Sequence, residues 1–529
     1  MKYKVGSLFA GVGGVCLGFK RASENFGLTF ANEMDIEACK TYRRNFDHNL
    51  VEGDIEKILD PEIVKKEREF LLKRSEELKK NGIPGFEFEK KIVKDAIKKS
   101  NGQFFVGIAM SGNFDFSNPL KRKLDKLNID VEKFKLYIEY RNILLNLEIL
   151  TEEKTKELYE CFTLKNKEII EEKIDILTAG FPCQAFSIAG DRKGFNDHRG
   201  ELFYSVLNLS QQLENAGHGK PRVLFLENVK NLLTHDGGKT FDRIQTEIKD
   251  FGYTISEPLV MNTYKYTMLP QNRERIFVVC FRDKIDAEVF GNLKDIPQLK
   301  RSKESLQEAL RTTLDYEISR EDSPELYYTR EKYPQYFMTR EEFDMSGRDN
   351  WINLDNDIDE MYEIYQVRRG MYVRKNKTGV CPTLTANMGT GGHNVPLIKV
   401  SDGIRKLSPK DCFNLQGFRA GLDYILPIEV SNASLYKQSG NAVSVDVIEL
   451  IAKKIEQTFL ENDKKKSSVE VNEKKFDEAL LKNNTEESVE VIFLKRKEEE
   501  INKFLHKEKT EEEINEFIKN LGKECFDIL

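Results

Sequence analysis

The sequence contains few of the residue patterns that build disulfide frameworks or metal clusters. Its eight cysteines are spread over 529 residues, and no two of them form Cys-x-x-Cys. No group of cysteines and histidines has the spacing of zinc ligands. This distribution argues against a zinc module or a disulfide-stapled secreted scaffold, and it is typical of a reducing cytoplasm. Each cysteine taken alone is most simply interpreted as a small buried hydrophobic side chain.

Long apolar runs, internal repeats and proline-rich linkers are also missing. No stretch of the sequence is long and apolar enough to span a membrane. Lys2 and Lys4 precede the run Val5–Gly18, but its glycines favour a strand and a glycine loop over a signal peptide. With 39% hydrophobic residues, a chain of this length predicts a few globular domains with a sizeable core.

An overall excess of positive charge is the third missing feature. The formal net charge is −6, which by itself disfavours a nucleic-acid partner. The charge is uneven, however, because ten basic and two acidic residues give Gln366–Arg419 a local charge of +8. The preceding Glu341–Glu363 is strongly acidic. DNA responds to the local field, so the basic segment is a candidate phosphate-contacting face, with an ordinary solvated surface as the alternative.

Short apolar strands alternate with helical stretches in separate parts of the chain. Strands are predicted at Tyr3–Phe9, Leu28–Glu33, Ile174–Ala179, Arg222–Glu227, Tyr253–Met261 and Arg275–Phe281, and helical periodicity occurs in Asp35–Phe46, Pro61–Lys80, Val131–Lys173 and Glu461–Leu529. This βαβ rhythm predicts a parallel sheet that binds ligands at the carboxyl ends of its strands. The Lys- and Glu-rich helical stretches predict solvated additions to that sheet.

Three features near the start of the chain are typical of a nucleotide-like ligand. The loop Phe9–Gly14 stands between a strand and a helix, where its glycines allow a sharp turn and a close approach to a ligand. Glu33 ends the second strand, a position suited to binding ribose hydroxyls. Gly53-Asp54-Ile55 forms a third strand-end loop, suited to an adenine amino group. These features fit NAD, a flavin or S-adenosylmethionine equally, and a glycine loop can also be a simple turn.

Further blocks place reactive side chains at the same predicted edge of the sheet. Cys183 lies in a loop directly after a strand, which displays it as a nucleophile. Glu227 ends a neighbouring strand, while Arg273 and Arg275, two residues apart, would point to the same side of the next. The segment Gln438–Ser444 precedes a final helix and could bring the chain back to this edge of the predicted sheet. The alternative interpretations are structural: Cys183 could be a buried cysteine, and Glu227 could cap a helix. The two arginines could form salt bridges at the start of a strand.

The order of these blocks closely resembles the DNA cytosine-5 methyltransferase family of bacterial restriction–modification systems. The matching blocks are the Phe9–Gly14 loop, Pro182-Cys183-Gln184, Arg199–Phe203, Glu227–Val229, Gln271–Arg275, Arg405–Ser408, Leu415–Phe418 and Gly440–Val443. They cover roughly residues 1–59, 173–283 and 403–459. The resemblance implies an α/β fold, with an S-adenosylmethionine-dependent methyltransferase Rossmann-like sheet and a second, smaller target-recognition domain.

The resemblance also implies a role for each matching residue. Cys183 would attack a cytosine flipped out of double-stranded DNA, Glu227 would neutralise the ring, and Arg275 with Arg273 would hold the base oxygen. The sequence does not identify the base that removes the carbon-5 proton. The expected S-adenosylmethionine contacts are Phe9, Gly11, Gly13, Gly14, Glu33, Met34, Asp54, Ile55, Pro182, Leu202, Asn441 and Val443. The expected DNA contacts are Gln184, Ser187, Arg199, Arg374, Thr385, Asn387, Gly391, Gly392 and His393, and no metal is expected.

Domain boundaries follow from the same resemblance. Residues 1–59, 173–283 and 433–459 are expected to form the catalytic domain, and 284–432 the recognition domain, in which Pro382–Asn394 resembles the family's recognition core. Residues 60–172 and 460–529 are expected to be charged helical additions without an assigned role. The chain is expected to act as a monomer in the bacterial cytoplasm, separately from a cognate restriction endonuclease and without a membrane.

Three other functions remain open at this level. A nicotinamide dehydrogenase would use the glycine loop and Glu33, but it would leave Cys183 and Glu227 without a role. A catalytically inactive DNA-binding relative should lack Cys183 or Glu227, and both are present. Transfer-RNA methylation is known for one branch of the family, in which the recognition domain is usually reduced, whereas residues 284–432 fill that place here.

Overall fold

The computed structural model describes residues 2–85, 88, 90, 92–93, 122, 124–181, 201–368, 370–376, 378–389 and 394–482. Its helices are Gly14–Ala22 (α1), Ile36–Arg43 (α2), Ile55–Leu59 (α3), Glu62–Lys80 (α4), Val131–Ile149 (α5), Glu152–Ile170 (α6), Glu201–Asn215 (α7), Lys239–Asp250 (α8), Thr263–Tyr266 (α9), Lys284–Phe290 (α10), Lys303–Thr313 (α11), Arg340–Ser346 (α12), Leu354–Asp357 (α13), Pro409–Leu415 (α14), Asn432–Asn441 (α15) and Val445–Lys482 (α16). Its strands are Tyr3–Leu8 (β1), Phe26–Glu33 (β2), Asn49–Glu52 (β3), Ile176–Ala179 (β4), Val223–Val229 (β5), Thr254–Ile255 (β6), Leu259–Asn262 (β7), Glu274–Phe281 (β8), Tyr327–Tyr328 (β9), Tyr365–Arg368 (β10), Tyr372–Lys375 (β11), Leu397–Val400 (β12) and Gly403–Lys406 (β13). Short 3-10 turns lie at Ile83–Gly85, Lys230–Leu233, His235–Gly238, Leu293–Asp295, Pro324–Leu326, Pro334–Tyr336 and Ala386–Gly389.

The larger sheet has eight strands in the order β3-β2-β1-β4-β5-β8-β6, with β7 also paired to β8. Strands β1 to β5 are parallel, and β8 is antiparallel to β5, β6 and β7. The chain winds outward from β1 to β3 and then returns to β4 on the other side of β1. Sheets of this kind bind ligands at that reversal, at the carboxyl ends of the strands. The predicted Rossmann-like α/β fold is therefore confirmed.

The central strands are apolar along their whole length because helices cover both faces of the sheet. All four residues of β4 are buried, as are Val223–Leu226 of β5. One face packs Leu177 and Leu224 against residues of α3, α7 and α8. The other packs Ile176 and Phe225 against α1 and the first turns of α16. The main core therefore surrounds the strands whose ends form the crevice.

Two predicted elements are divided in the structure. The segment Tyr253–Met261 forms β6 and β7 rather than one strand, because Pro258 lies between them and has no N–H for the ladder. Val131–Lys173 forms two helices, α5 and α6, and the Thr151 hydroxyl caps the second by accepting the N–H of Lys154.

The charged additions are helical where they are described. Helix α4 packs against α5 and α6, burying Leu71 and Ile143, and the guanidinium of Arg74 pairs with Glu139 at 2.7 Å. Residues Met1–Asn462 form one compact unit and Asp463–Leu529 a second, of which 463–482 is described and belongs to α16. Within the described residues, no helix combines the length and apolar character needed to cross a bilayer.

A second, smaller sheet has the order β11-β10-β12-β13-β9 and is antiparallel throughout. It lies inside the predicted recognition domain, residues 284–432. The assignment of domains to functions remains a prediction.

Candidate active site

A cavity of about 410 Å³ lies at the reversal of the sheet. Its walls come from the carboxyl ends of β1 to β5, the start of β8 and the segment that ends α15. This volume is in the range of small-molecule pockets. Of the residues predicted to bind the cofactor, Phe9, Gly11, Gly14, Glu33, Met34, Asp54, Ile55, Leu202, Asn441 and Val443 line it.

The glycine loop after β1 turns through the left-handed region of backbone conformation. Gly11 and Gly13 have φ of 56° and 83°, and Phe9 adopts a φ of 55°, which is strained for a residue with a side chain. Apart from its two chain neighbours, no described residue has an atom within 4 Å of where a Cβ on Gly11 would stand, whereas one on Gly13 would collide with Phe46. Gly11 therefore leaves room for a ligand, while Gly13, which does not line the cavity, serves packing behind it.

The Glu33 carboxylate is fixed by backbone amides at the end of β2. Its Oε2 accepts the N–H of Gly11 at 2.7 Å, and its Oε1 accepts those of Met34 and Asp35, each at 2.8 Å. These three bonds leave one acceptor site, on Oε2, for a hydroxyl donor. Nearby, Asp54 caps α3 by accepting the N–H of Glu56 at 3.1 Å, next to the buried Ile55.

Glu227 and Arg275 form an ion pair at the cavity wall. Glu227 lies near the carboxyl end of β5 and Arg275 is the second residue of β8, and Nε of the arginine lies 3.1 Å from Oε1 of the carboxylate. Burial raises the pKa of Glu227 above its ordinary value, and the charges of Arg275 and Arg273 oppose that rise. A Cβ placed on Gly180, just after β4, would stand 3.3 Å from Oε2 of Glu227. A carboxyl group with a tendency to hold its proton therefore lies beside the start of the predicted nucleophile loop.

Arg273 lies elsewhere, which corrects the expectation that it would accompany Arg275. It is 1% exposed and does not line the cavity. Its Nη1 donates to the carbonyl of Leu384 at 2.9 Å, and its Nη2 donates to those of Gly440, at 3.0 Å, and Ala442. Strand β8 begins only at Glu274, so the rule that alternate residues share a strand face does not reach Arg273.

The predicted nucleophile Cys183 lies outside the described residues, as do Pro182, Gln184, Ser187 and Arg199. The description stops at Phe181 and resumes at residue 201. The carbonyl of Phe181 accepts a hydrogen bond of 2.8 Å from Nδ2 of Asn228, which is buried next to Glu227. The chain therefore starts towards Cys183 from a point that is tied to the end of β5.

Several cavity-lining residues were not predicted as site residues from the sequence, among them Asn228, Gln438 and Lys437. Asn228 belongs to the named Glu227–Val229 block, so its position was the available signal. Gln438, which opens the block Gln438–Ser444, accepts the Thr41 hydroxyl at 2.9 Å, and Lys437 pairs with Asp35 at 2.7 Å. These links join α15 to α2, and a sequence does not show such long-range pairs.

The predicted DNA contacts are only partly described. Gly391, Gly392 and His393 lie outside the described residues, while the hydroxyl of Thr385 donates to Oδ1 of Asn387 at 2.6 Å. Arg374 is exposed on β11. Its strand pairs with β10 so that Gln366 faces Arg374 and Arg368 faces Tyr372. Because alternate residues share a face, these four side chains form one outward surface, which we call the hairpin face.

Part of the basic segment's charge is neutralised inside the fold. Arg405 is fully buried and pairs with Asp411 at 2.9 Å. Lys375 pairs with Glu360 at 2.6 Å, so the acidic stretch before the segment offsets some of its charge. Among the described residues, Arg368 and Arg374 have no ion pair. The exposed positive charge of the described residues is therefore smaller than +8, and Arg368 and Arg374 on the hairpin face contribute to it.

Several known proteins are similar to this chain. The family described as C-5 cytosine-specific DNA methylase matches residues 3–73 and 146–457. The Type II methyltransferase M.Bsp6I of Bacillus sp. (strain RFL6) is 42% identical over 309 residues, which cover 56% of this chain and 86% of that protein. The Type II methyltransferase M.HpaII of Haemophilus parainfluenzae is 34% identical over 306 residues, covering 56% and 76%. Among solved structures, the S. pombe Dnmt2 methyltransferase aligns with a TM-score of 0.45 at 13% identity, covering 86% of this chain and 99% of that one.

Proposed function

Since the chain belongs to the C-5 cytosine-specific DNA methylase family, we propose that this methyltransferase uses S-adenosylmethionine and a covalent bond between Cys183 and cytosine. Membership confirms the resemblance read from the ordered blocks, and with it the prediction of a DNA cytosine-5 methyltransferase. The observation that carries the finer proposal is one cavity with Glu33 at one end and the Glu227–Arg275 pair at the other. The relatives named Type II methyltransferases support a role as the modification arm of a restriction–modification system.

The cavity has the chemistry that S-adenosylmethionine requires. When bound, this cofactor supplies a methyl group on a positively charged sulfur. Gly11 leaves open space beside the loop, Glu33 offers a carboxylate for ribose hydroxyls, and Asp54 and Ile55 offer a polar and an apolar contact for adenine. Met34, Leu202, Asn441 and Val443 complete the proposed walls. NAD has the same ribose hydroxyls, so family membership rather than Glu33 supports S-adenosylmethionine over NAD.

Cys183 supplies the nucleophile in this proposal. It follows Phe181 by two residues, so chain connectivity keeps its Cα within about 7 Å of the Phe181 Cα. Carbon 5 of cytosine is a poor nucleophile until a thiolate bonds to carbon 6 and breaks the aromaticity of the ring. Carbon 5 then takes the methyl group, a base removes the carbon-5 proton, and the bond between sulfur and carbon 6 breaks. An ordinary thiol has a pKa of about 8.5, so the proton of Cys183 must leave before or during attack.

Glu227 and Arg275 stabilise the charge that this attack places on the ring. A protonated Glu227 donates to ring nitrogen 3, and its burial favours the protonated form. Arg275 holds the oxygen at carbon 2 and remains close enough to Glu227 to position it. Groups fixed in advance around developing charge lower the barrier because they need no reorganisation during the reaction. Arg273 donates to backbone carbonyls outside the cavity and serves as a positioning residue.

Double-stranded DNA binds across the second sheet. The cytosine must leave the stack to reach Cys183, which costs roughly a few kcal/mol. The hairpin face, with Arg368 and Arg374, contacts phosphates, and Thr385 and Asn387 lie in the segment that reads bases. The chain acts as a monomer in the bacterial cytoplasm, and a cognate endonuclease acts separately on the same DNA sequence.

Bisulfite sequencing of a plasmid tests the proposal in cells that express the chain and lack other cytosine methylation. We expect protected cytosines within one short recurring sequence, and no protection with Cys183→Ala. Soluble protein that protects no cytosine would overturn the DNA substrate and leave transfer RNA as the substrate to test. Protection that persists with Cys183→Ala would overturn the covalent mechanism alone.

A further inference from the structure

We infer that helix α6, in the charged addition, is a positioning element for the adenine side of the cofactor cavity, acting through Lys165. The inference rests on the proposed use of S-adenosylmethionine. It assigns a role to part of residues 60–172, for which the sequence gives none. The family match skips residues 74–145 and resumes before α6, so this helix connects the unmatched helices to the catalytic sheet.

Lys165 contacts the loop that carries the predicted adenine contacts. Its ammonium group donates to the carbonyl of Glu52, the last residue of β3. The Phe162 ring and the Lys165 ammonium lie 3.5 Å and 3.7 Å from where a Cβ on Gly53 would stand. The next residues, Asp54 and Ile55, line the cavity together with Gly53. One turn of α6 therefore packs directly on the backbone of this wall.

The rest of α6 is anchored on the sheet, so it can hold the loop in place. Ile169 is 1% exposed and shares a core with Ile55 and Ile58 of α3. Nδ2 of Asn166 donates to Oε1 of Gln212 at 2.8 Å, and Nε2 of Gln212 donates to the carbonyl of Leu59 at 3.0 Å. These bonds link α6, through Gln212, to Leu59 at the end of α3.

Other contacts also hold the loop, including an ion pair of 2.5 Å between Arg43 of α2 and the Glu52 carboxylate. The N–H of Gly53 donates to the carbonyl of Glu33 at 2.9 Å, and Nδ2 of Asn32 donates to the carbonyl of Gly53 at 3.0 Å. Lys165 adds a charged donor from the helical addition. Without it, the carbonyl of Glu52 loses a charge-assisted bond and the wall becomes more mobile. The cofactor must then spend binding energy to order that wall.

The test compares full-length Lys165→Met with Lys167→Met, which removes the same charge from an exposed position of the same helix. Calorimetry with S-adenosylhomocysteine should show Kd raised about fivefold to twentyfold by Lys165→Met and unchanged by Lys167→Met. Lys165→Arg, which keeps a charged donor, should restore most of the affinity. KM for S-adenosylmethionine should rise with Kd while kcat stays near the wild-type value, and amide exchange at residues 52–56 should become faster.

The outcomes separate this inference from the proposed function. Equal Kd values for the two methionine variants would overturn the positioning role. A general fall in Tm with parallel losses of cofactor and DNA binding would also overturn it, because Lys165 would then serve folding alone. If the wild-type chain binds neither S-adenosylmethionine nor S-adenosylhomocysteine, the proposed function fails instead.

Discussion

Glu227 is a largely buried carboxyl group, and its burial favours the neutral form while the charges of Arg275 and Arg273 oppose that effect. Burial raises its pKa, so the carboxyl is protonated below that raised pKa and becomes an acceptor-only carboxylate above it. Its proposed proton donation is therefore lost as the pH rises through this pKa. We expect kcat to decrease as the pH rises through the pKa of Glu227, which gives the pH profile a descending alkaline limb.

Glu227→Gln keeps the shape of the side chain but cannot transfer a proton. We expect kcat to fall by about 10²- to 10⁴-fold, the usual contribution of a positioned acid, and the limb attributed to Glu227 to disappear. Single-turnover methylation measured across pH checks this. Glu274→Gln is the matched control, because Glu274 pairs with Lys230 at 3.0 Å on the surface and should leave the profile unchanged. A variant with the wild-type profile would remove Glu227 from the mechanism.

Arg273 and Arg275 should differ in the property that each substitution changes. Arg273→Lys loses the guanidinium fork that reaches carbonyls of Leu384 and Gly440, so the free energy of unfolding should fall by about 2–4 kcal/mol. Arg275→Lys should lower kcat while keeping stability within about 1 kcal/mol of wild type. Chemical denaturation and single-turnover rates measure the two effects. The reverse pattern would place Arg273, not Arg275, at the reacting base.

Prediction of the site from sequence succeeds where the function depends on position along one strand. Glu33 ends β2 and Glu227 lies near the end of β5, and both strands belong to the parallel part of the sheet, so the strand prediction brings the two residues to one edge. Arg273 differs because its hydrogen-bond partners lie more than a hundred residues away in the sequence. Its spacing from Arg275 suggests that both side chains share one strand face, but β8 begins at Glu274 and does not include Arg273. Arg405 adds to the local positive charge counted from the sequence. Its buried ion pair with Asp411 forms only in the tertiary structure, so the sequence does not show that this charge is neutralised.

Among the elements, the hairpin of β10 and β11 carries the exposed positive charge of the second sheet. Arg368→Ala and Arg374→Ala should each weaken DNA binding by a similar factor on all sequences and reduce the salt slope of log K by about 1. Titrations at several salt concentrations check this. Arg348→Ala, at an exposed position within the acidic stretch, is the control. A loss confined to one DNA sequence would show instead that the hairpin face reads bases.

The positions of the strands could be predicted from the sequence better than their direction in the sheet or the places where a strand is interrupted. The apolar runs of β4 and β5 are long enough to be recognised alone, since both faces of the sheet are covered. The antiparallel direction of β8 depends on which strands it joins, and the periodicity of one segment contains no such information. The break between β6 and β7 could have been predicted from Pro258, which has no N–H. The pairing of both strands with β8 has no such local signal in the sequence.

For the whole molecule, the boundary after Asn462 predicts where the chain can be shortened. Phe459 is fully buried against the Arg222 guanidinium, 3.9 Å from its ring centre, and Asn462 donates to Asp286 at 2.6 Å. A chain ending at Asn462 keeps both contacts and all cavity-lining residues. It should therefore retain wild-type methylation rates and Tm.

A chain ending at Ile455 should instead lose stability by about 3–5 kcal/mol, because it removes the buried Phe459 ring. Thermal unfolding and methylation assays of the two truncations check the pair. Inactive but folded protein ending at Asn462 would show that the second unit takes part in the reaction.

The returning connection between α3 and β4 explains how this fold accommodates so long an addition. Leu59 and Ile174 belong to one core, so the sheet already fixes the two ends of the connection at short range. The entropy of closing a flexible loop grows only with the logarithm of its length, at about 0.6 kcal/mol for each doubling. A segment inserted here carries little thermodynamic penalty, and the buried leucines of α4 offset it. A crossover of this kind is a site where evolution can lengthen the chain and then recruit the added helices to a new task.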